Sequence, residues 1–252
     1  MRDFTTKAYA ALCGAVKENH TPVTVLEFLK RKSIDAAIIR HDVDDRPMNS
    51  LIAAKIEHKL DISSTYYFRT TPRVYKEGII NEIRDLGHEI GFHYEVLDKA
   101  QGDYKKAIAI FEKEVMQFPC EIKTICMHGN PITRWDNRDL WEKYRFEDYG
   151  IVGDAYLSID FSDIMYFSDT GRTWDSRYSV KDITKAKRDA PVRVKSTEDL
   201  IGVVRKDEGR VCIATHPQRW TDSHALWGRE LLLQSSKNLV KKGIMFARPS
   251  KR

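Results

Sequence analysis

The chain of 252 residues has no run of about 20 apolar residues, the length a helix needs to cross a bilayer, so no membrane span is expected. Its first residues, Met1-Arg2-Asp3-Phe4-Thr5-Thr6, lack the apolar core of an export signal, and the expected location is cytoplasmic. Cysteine is scarce. Cys13, Cys120, Cys126 and Cys212 lie far apart without C-x-x-C spacing, which argues against a disulfide framework or a thiolate zinc site. Cys126 and Cys212 fall in apolar runs and read as buried small hydrophobes. There is no repeat, no low-complexity tract and no Ser/Pro-rich linker. A dominant charge is also lacking. The formal net charge is +5, and basic residues form only short clusters such as Lys185-Ala186-Lys187-Arg188, so no nucleic-acid partner is expected.

What is present suits one α/β domain over residues 1–252, with residues 1–34 forming covering helices. Tyr9, Leu12, Cys13 and Val16 recur at helical spacing, and Thr24 can cap a second helix ahead of Leu26 and Leu29. Strands are expected over 36–42, 63–69, 88–95, 122–127 and 211–216, where β-branched and aromatic residues concentrate. Helical stripes separate them: Leu51, Ile52, Ile56 and Leu60; Ile79, Ile80, Ile83 and Leu86; Tyr104, Ile108, Phe111 and Val115; then Leu140, Trp141 and Tyr144. From 150 to 193 the pattern is weaker and predicts one or two strands among long loops. Ser196 starts a further helix, and a last one is expected over 226–242. This alternation predicts a parallel sheet with helical crossovers, closing into a distorted (β/α) barrel of seven strands with surrounding helices.

The polar residues fall at the ends of these strands. Asp42, Asp44 and Asp45 end the first, Arg69 the second, His93 the third, His128 the fourth and His216 the last. In parallel α/β folds those tips share the functional face. Crowded carboxylates repel, and a cation or a held proton offsets that cost; the alternative is a solvated turn. Strand alternation puts Asp42 and Asp44 on one face and His41, Val43 and Asp45 on the other. One aspartate with two or three histidines and an open position fits one divalent transition metal, with zinc the expected ion. In that scheme Asp42 is the base, Asp44 a ligand and His216 the acid, in hydrolysis of an amide or ester.

Three motifs carry a resemblance. Arg40-His41-Asp42-Val43-Asp44, Gly87-His88-Glu89-Ile90-Gly91-Phe92-His93 and Thr215-His216-Pro217 resemble the polysaccharide deacetylase-like superfamily (carbohydrate esterase family 4), in order, over roughly residues 36–220. The resemblance implies a distorted barrel, an Asp–His–His metal site and removal of N- or O-acetyl groups from glycans. It makes Asp42 the base, Asp44 the metal aspartate, His93 the first ligand histidine and His216 the histidine of the last motif. The family's aspartates are adjacent, so Asp44 and Asp45 form a competing register. The family's second ligand histidine falls four residues after the first, where this chain has Leu97. His128 is the candidate replacement and Glu95 the second candidate. Arg69, Arg134 or Arg219 could serve an oxyanion or acidic substrate, and Tyr94, Trp135, Trp174 or Trp220 could stack on a sugar ring.

The substrate-binding set is therefore Arg69, Glu95, Arg219 and Trp220. The leading expectation is a metal-dependent hydrolase that removes an acetyl or similar acyl group from an N-acylated sugar. A small molecule or glycan is its expected partner, in intracellular glycan or polysaccharide assembly of the O-antigen or capsule type. Two readings compete. One is a catalytically silent member that binds a glycan or a protein, for which Leu97 speaks. The other is a metal hydrolase of a non-sugar C–N bond.

Overall fold

The computed structural model describes residues 2–31, 36–175, 177–179, 181 and 193–247. The cluster Lys185-Ala186-Lys187-Arg188 lies outside them. In chain order the elements begin with α1 (Thr6–Asn19), β1 (Thr21–Val23), α2 (Val25–Lys30), β2 (Ala36–Val43), α3 (Pro47–Lys59) and β3 (Thr65–Phe68). Next come α4 (Glu77–Asp85), β4 (Glu89–Tyr94), α5 (Val96–Lys99), α6 (Tyr104–Val115), β5 (Thr124–Met127) and β6 (Gly153–Asp154). The chain then forms β7 (Ile164–Ser168), α7 (Thr197–Val204), β8 (Arg210–Thr215) and α8 (His224–Ala247).

All strand pairs among the described residues are parallel. The sheet order is β6-β5-β4-β3-β2-β8-β7, and short β1 fills the place beside the start of β2. The sheet curls into a half-barrel with helices around it, the distorted barrel that the strand–helix alternation predicts.

Alternation along each strand builds the layers. Ile38, Tyr67, Cys126 and Cys212 turn inward, where Val25, Phe28, Ile159 and Phe161 fill the interior. Gly91 leaves room for this packing, since a Cβ there would lie 2.3 Å from the Tyr67 ring. Outward residues of β3, β4 and β5, among them Phe68, Phe92 and Met127, pack in the same cluster as Ile80, Ile83 and Phe111 of α4 and α6. Ile39, Phe167 and Ile213 pack outward with residues of α1 and α7.

Local chemistry sets the helix starts. Thr24 and Glu27 form a reciprocal capping box on α2, as Ser196 and Asp199 do on α7. Pro47 opens α3, where its missing N–H removes no helical bond.

The stripe of Leu140, Trp141 and Tyr144 does not become an α-helix. Leu140 and Trp141 lie in a 3₁₀ turn at Asn137–Glu142, and Tyr144 falls between it and a second one at Phe146–Tyr149. The Asn137 amide accepts from the N–H groups of Leu97 and Asp98 and donates to the His128 carbonyl. Those side-chain bonds tie the turn to α5 and to the tip of β5. The weakly patterned segment contains β7, the edge strand beside β8. No helix among the described residues is long and apolar enough to cross a membrane. The last helix, α8, turns Glu230, Gln234 and Asn238 inward.

Candidate metal and catalytic site

Asp44, His93 and His128 meet at the tips of β2, β4 and β5. One ligand atom from each lies within 4.8 Å of the others. Asp44 Oδ1 is 3.4 Å from His93 Nε2 and 3.7 Å from His128 Nε2, and Asp44 Oδ2 is 3.8 Å from His216 Nε2. The Asp44 N–H donates back to the Asp42 carbonyl at 3.1 Å, a tight turn that carries Asp44 past the strand end. Burial opposes the charge of Asp44, but the imidazoles of His128, His93 and His216 outweigh it and hold the carboxyl well below its ordinary value. Burial pushes His128 down to about 4, which favours the neutral ring that a metal needs. For His93 burial works downward, but Asp42 and Asp44 together raise it. Its Nδ1 lies 3.0 Å from the Cys126 carbonyl, which orients the ring and leaves Nε2 facing Asp44.

The residues fit a divalent transition metal. Asp44 Oδ1 and His128 Nδ1 are buried without a hydrogen-bond partner. An O,N,N donor set at strand ends is a zinc-type constellation with positions left for water or substrate. A second cluster of Asp42, His93 and Cys126 is also compact. It holds a cation already, because Arg40 Nη1 lies 3.2 Å from Asp42 Oδ1 and 2.6 Å from Cys126 Sγ. Burial pushes the Cys126 thiol well up, which disfavours a free thiolate there. Cys126 is thus buried, but against a charged pair and not only among hydrophobes.

The catalytic candidates flank the metal cluster. Asp42 points inward from β2, 4% exposed, with Arg40 from the same face beside it. His216 follows β8. Its Nδ1 lies 2.6 Å from Asp169 Oδ1 and 2.8 Å from the Arg219 guanidinium, leaving Nε2 toward Asp44. Asp169 also accepts from the His216 N–H at 3.0 Å, the Trp220 indole N–H at 2.9 Å and the Arg219 guanidinium. Burial opposes the charge of Asp169, and Arg219 and His216 outweigh it, lowering its carboxyl. A cavity of about 790 Å³ opens over Asp42, Asp44, His93, His128 and His216, and residues of α8 form part of its wall. That volume suits a ligand larger than a single small fragment.

The other candidates are placed differently. Arg69 lines the cavity and forms a two-point pair with Glu95, at 3.3 and 2.7 Å. Glu95 lies behind Arg69, 9% exposed. Arg219 reaches the cavity while bound to Asp169. Trp220 requires a correction. It is 4% exposed and packs against Phe4, Tyr9 and Trp174 in the outer core, so it presents no face to a substrate. Its indole N–H donates to Asp169. Trp174 and Tyr94 are likewise buried in outer clusters, and Arg134 lies over Trp135. Asp45 sits at the cavity rim, paired with Arg73 at 2.7 Å. Leu97, on α5, has no exposed surface and packs in the outer core, so the position four after His93 does not face the cluster.

Sequence reasoning missed Asp169 and Arg40. The first ends a short strand in the weakly patterned region, where the run Ile164–Ser168 followed by an aspartate was the available signal. The second sits two residues before Asp42, on the same face by strand alternation.

No family model and no curated protein matches the chain. Among solved structures, the Xyl-CE4 domain of a multidomain xylanase from the hindgut metagenome of Trinervitermes trinervoides is similar at 11% identity and a TM-score of 0.38. The match covers 82% of this chain and 83% of that one. A likeness that loose assigns neither fold nor activity.

Proposed function

We propose that the protein is a metal-dependent hydrolase that removes an acetyl or similar acyl group from an N-acylated sugar, in the assembly of a glycan. The observation that carries this reading is the meeting of Asp44, His93 and His128 at one cavity with Asp42 and His216. Asp44, His93 and His128 would hold the ion. A divalent metal bound there supplies a Lewis acid for the acyl carbonyl and acidifies water.

The remaining steps belong to the chain's own groups. Asp42 is the base that takes a proton from the attacking water, and Arg40 balances its charge. His216 delivers a proton from Nε2 to the departing nitrogen. Its Nδ1–H is committed to Asp169, so Nε2 is the nitrogen left to exchange a proton. The carboxylate of Asp169 stabilises the imidazolium and fixes the ring, as the orienting carboxylate of a relay does.

The test is a panel of acylated sugars and non-sugar amides, with acetate and ammonia both measured on metal-loaded protein. Acetate from an N-acetyl sugar, lost in Asp42→Asn and in His93→Ala, is the expected result. Ammonia without acetate would move the assignment to another C–N bond. Glycan binding by metal-free protein, with no product from any compound, would make it a binding module.

A further inference from the structure

Behind the site, on the outer face of β2, lies a buried polar chain that the proposed reaction does not use. His41 Nε2 is 2.8 Å from Glu57 Oε1, and His41 Nδ1 is 2.7 Å from Thr215 Oγ1. Glu57 also accepts from the Tyr9 hydroxyl, from Ser64 at 2.6 Å and from Tyr66 at 2.5 Å. The Tyr66 ring stacks on His41 with centroids 4.1 Å apart. An ionised carboxylate only accepts, so His41 Nε2 carries a hydrogen toward Glu57, and the Thr215 hydroxyl meets the other ring nitrogen.

A threonine, a histidine and a glutamate in this order resemble a nucleophile relay. No substrate can reach it, because His41, Glu57 and Thr215 all have no exposed surface. Its place in the sheet points to another role. The parallel register of β2 with β8 ends at the pair His41 and Thr215. The next residue on each strand belongs to the site: Asp42 on β2 and His216 after β8. Successive side chains alternate, so the bridge sits on one face while Asp42 and His216 project from the other. The bridge therefore ties the two strands together at the last rung before the two reacting groups.

We infer that His41, Glu57 and Thr215 are positioning residues, and that the Thr215–His41–Glu57 chain sets the spacing of Asp42 and His216 across the cavity. The kinetic consequence rests on the deacylase reading. Active-site geometry tolerates an error of about 0.5 Å, and a misplacement near 1 Å costs up to ~100-fold in rate.

Two substitutions at one residue separate positioning from packing. Thr215→Val keeps the shape and loses the hydroxyl; Thr215→Ser keeps the hydroxyl and loses a methyl. In zinc-loaded protein, Thr215→Val should lower kcat by about 10- to 100-fold with KM and metal content unchanged, while Thr215→Ser stays within about threefold of wild type. Thr215→Val within about threefold of wild type would overturn the inference, because the hydroxyl would then be dispensable. Crystal structures of wild type and Thr215→Val supply a second readout that needs no turnover. The distance from Asp42 to His216 should change by about 0.5 Å or more, and an unchanged distance overturns the inference. Wild-type protein that releases no acetate from any sugar refutes the deacylase reading instead, and the crystallographic comparison still decides the positioning role.

Discussion

Replacing Glu57 by glutamine removes one charge from the most heavily bonded buried carboxylate behind the site. Glu57 has no exposed surface and accepts from Tyr9, His41, Ser64 and Tyr66. Burial opposes its charge, and the neighbouring His41, His88 and Ser64 outweigh burial and bring the carboxyl from an ordinary 4.5 to about 2. At ~1.4 kcal/mol per pH unit, that difference stabilises the folded state by about 3 kcal/mol at neutral pH. Hydrogen bonds to a charged acceptor, at ~1.5–3 kcal/mol each, give the same scale when glutamine cannot satisfy one or two of the donors. Glu57→Gln should therefore lose about 3 kcal/mol near pH 7, or roughly 6–12 °C in Tm for a chain of this size. The folded pKa is the lower one, so this stability is complete above the unfolded value near 4.5 and disappears as pH falls toward 2. Urea unfolding of both proteins near pH 7, 5 and 3 measures the gap. A variant within ~0.5 kcal/mol of wild type near pH 7, or a gap as large near pH 3 as near pH 7, would refute the reasoning.

Further outcomes follow from the same geometry. His128→Ala should lose stoichiometric zinc while remaining folded, whereas Leu97→Ala should keep zinc and lose about 2–5 kcal/mol of stability, because Leu97 is fully buried core; metal analysis and denaturation together check the pair. Asp169→Asn should lower kcat by about 100-fold or more with metal content unchanged, since it weakens the carboxylate that orients His216 while also holding Arg219 and Trp220; an unaltered kcat would remove Asp169 from the mechanism. His93 is raised and His128 is held near 4, so His93 is the ligand that protonates first as pH falls, and zinc affinity of the metal-free protein should start to decline above the ordinary histidine value; a decline confined to pH near 4 would contradict this order.

The period-two pattern of the strands is local, and it settled much without any tertiary knowledge. It separated inward Asp42 from outward His41, and it put His93 at the tip of β4 and His128 after β5. Caps at Thr24 and Ser196 and the proline at the head of α3 were legible for the same reason, since each involves neighbours within one turn. What the sequence could not decide was which tips become neighbours. That depends on β8 inserting between β2 and β7, an order that chain sequence does not encode locally. The insertion brings Asp169 to His216 across 47 residues and joins His41 to Thr215 across 174. It also turns Trp220 into the outer core, where burying an indole against Phe4, Tyr9 and Trp174 outweighs leaving it for a ligand. The gap left at Leu97 is of the same kind: helix α5 carries that position into the core, and β5, paired beside β4, delivers His128 to the cluster instead.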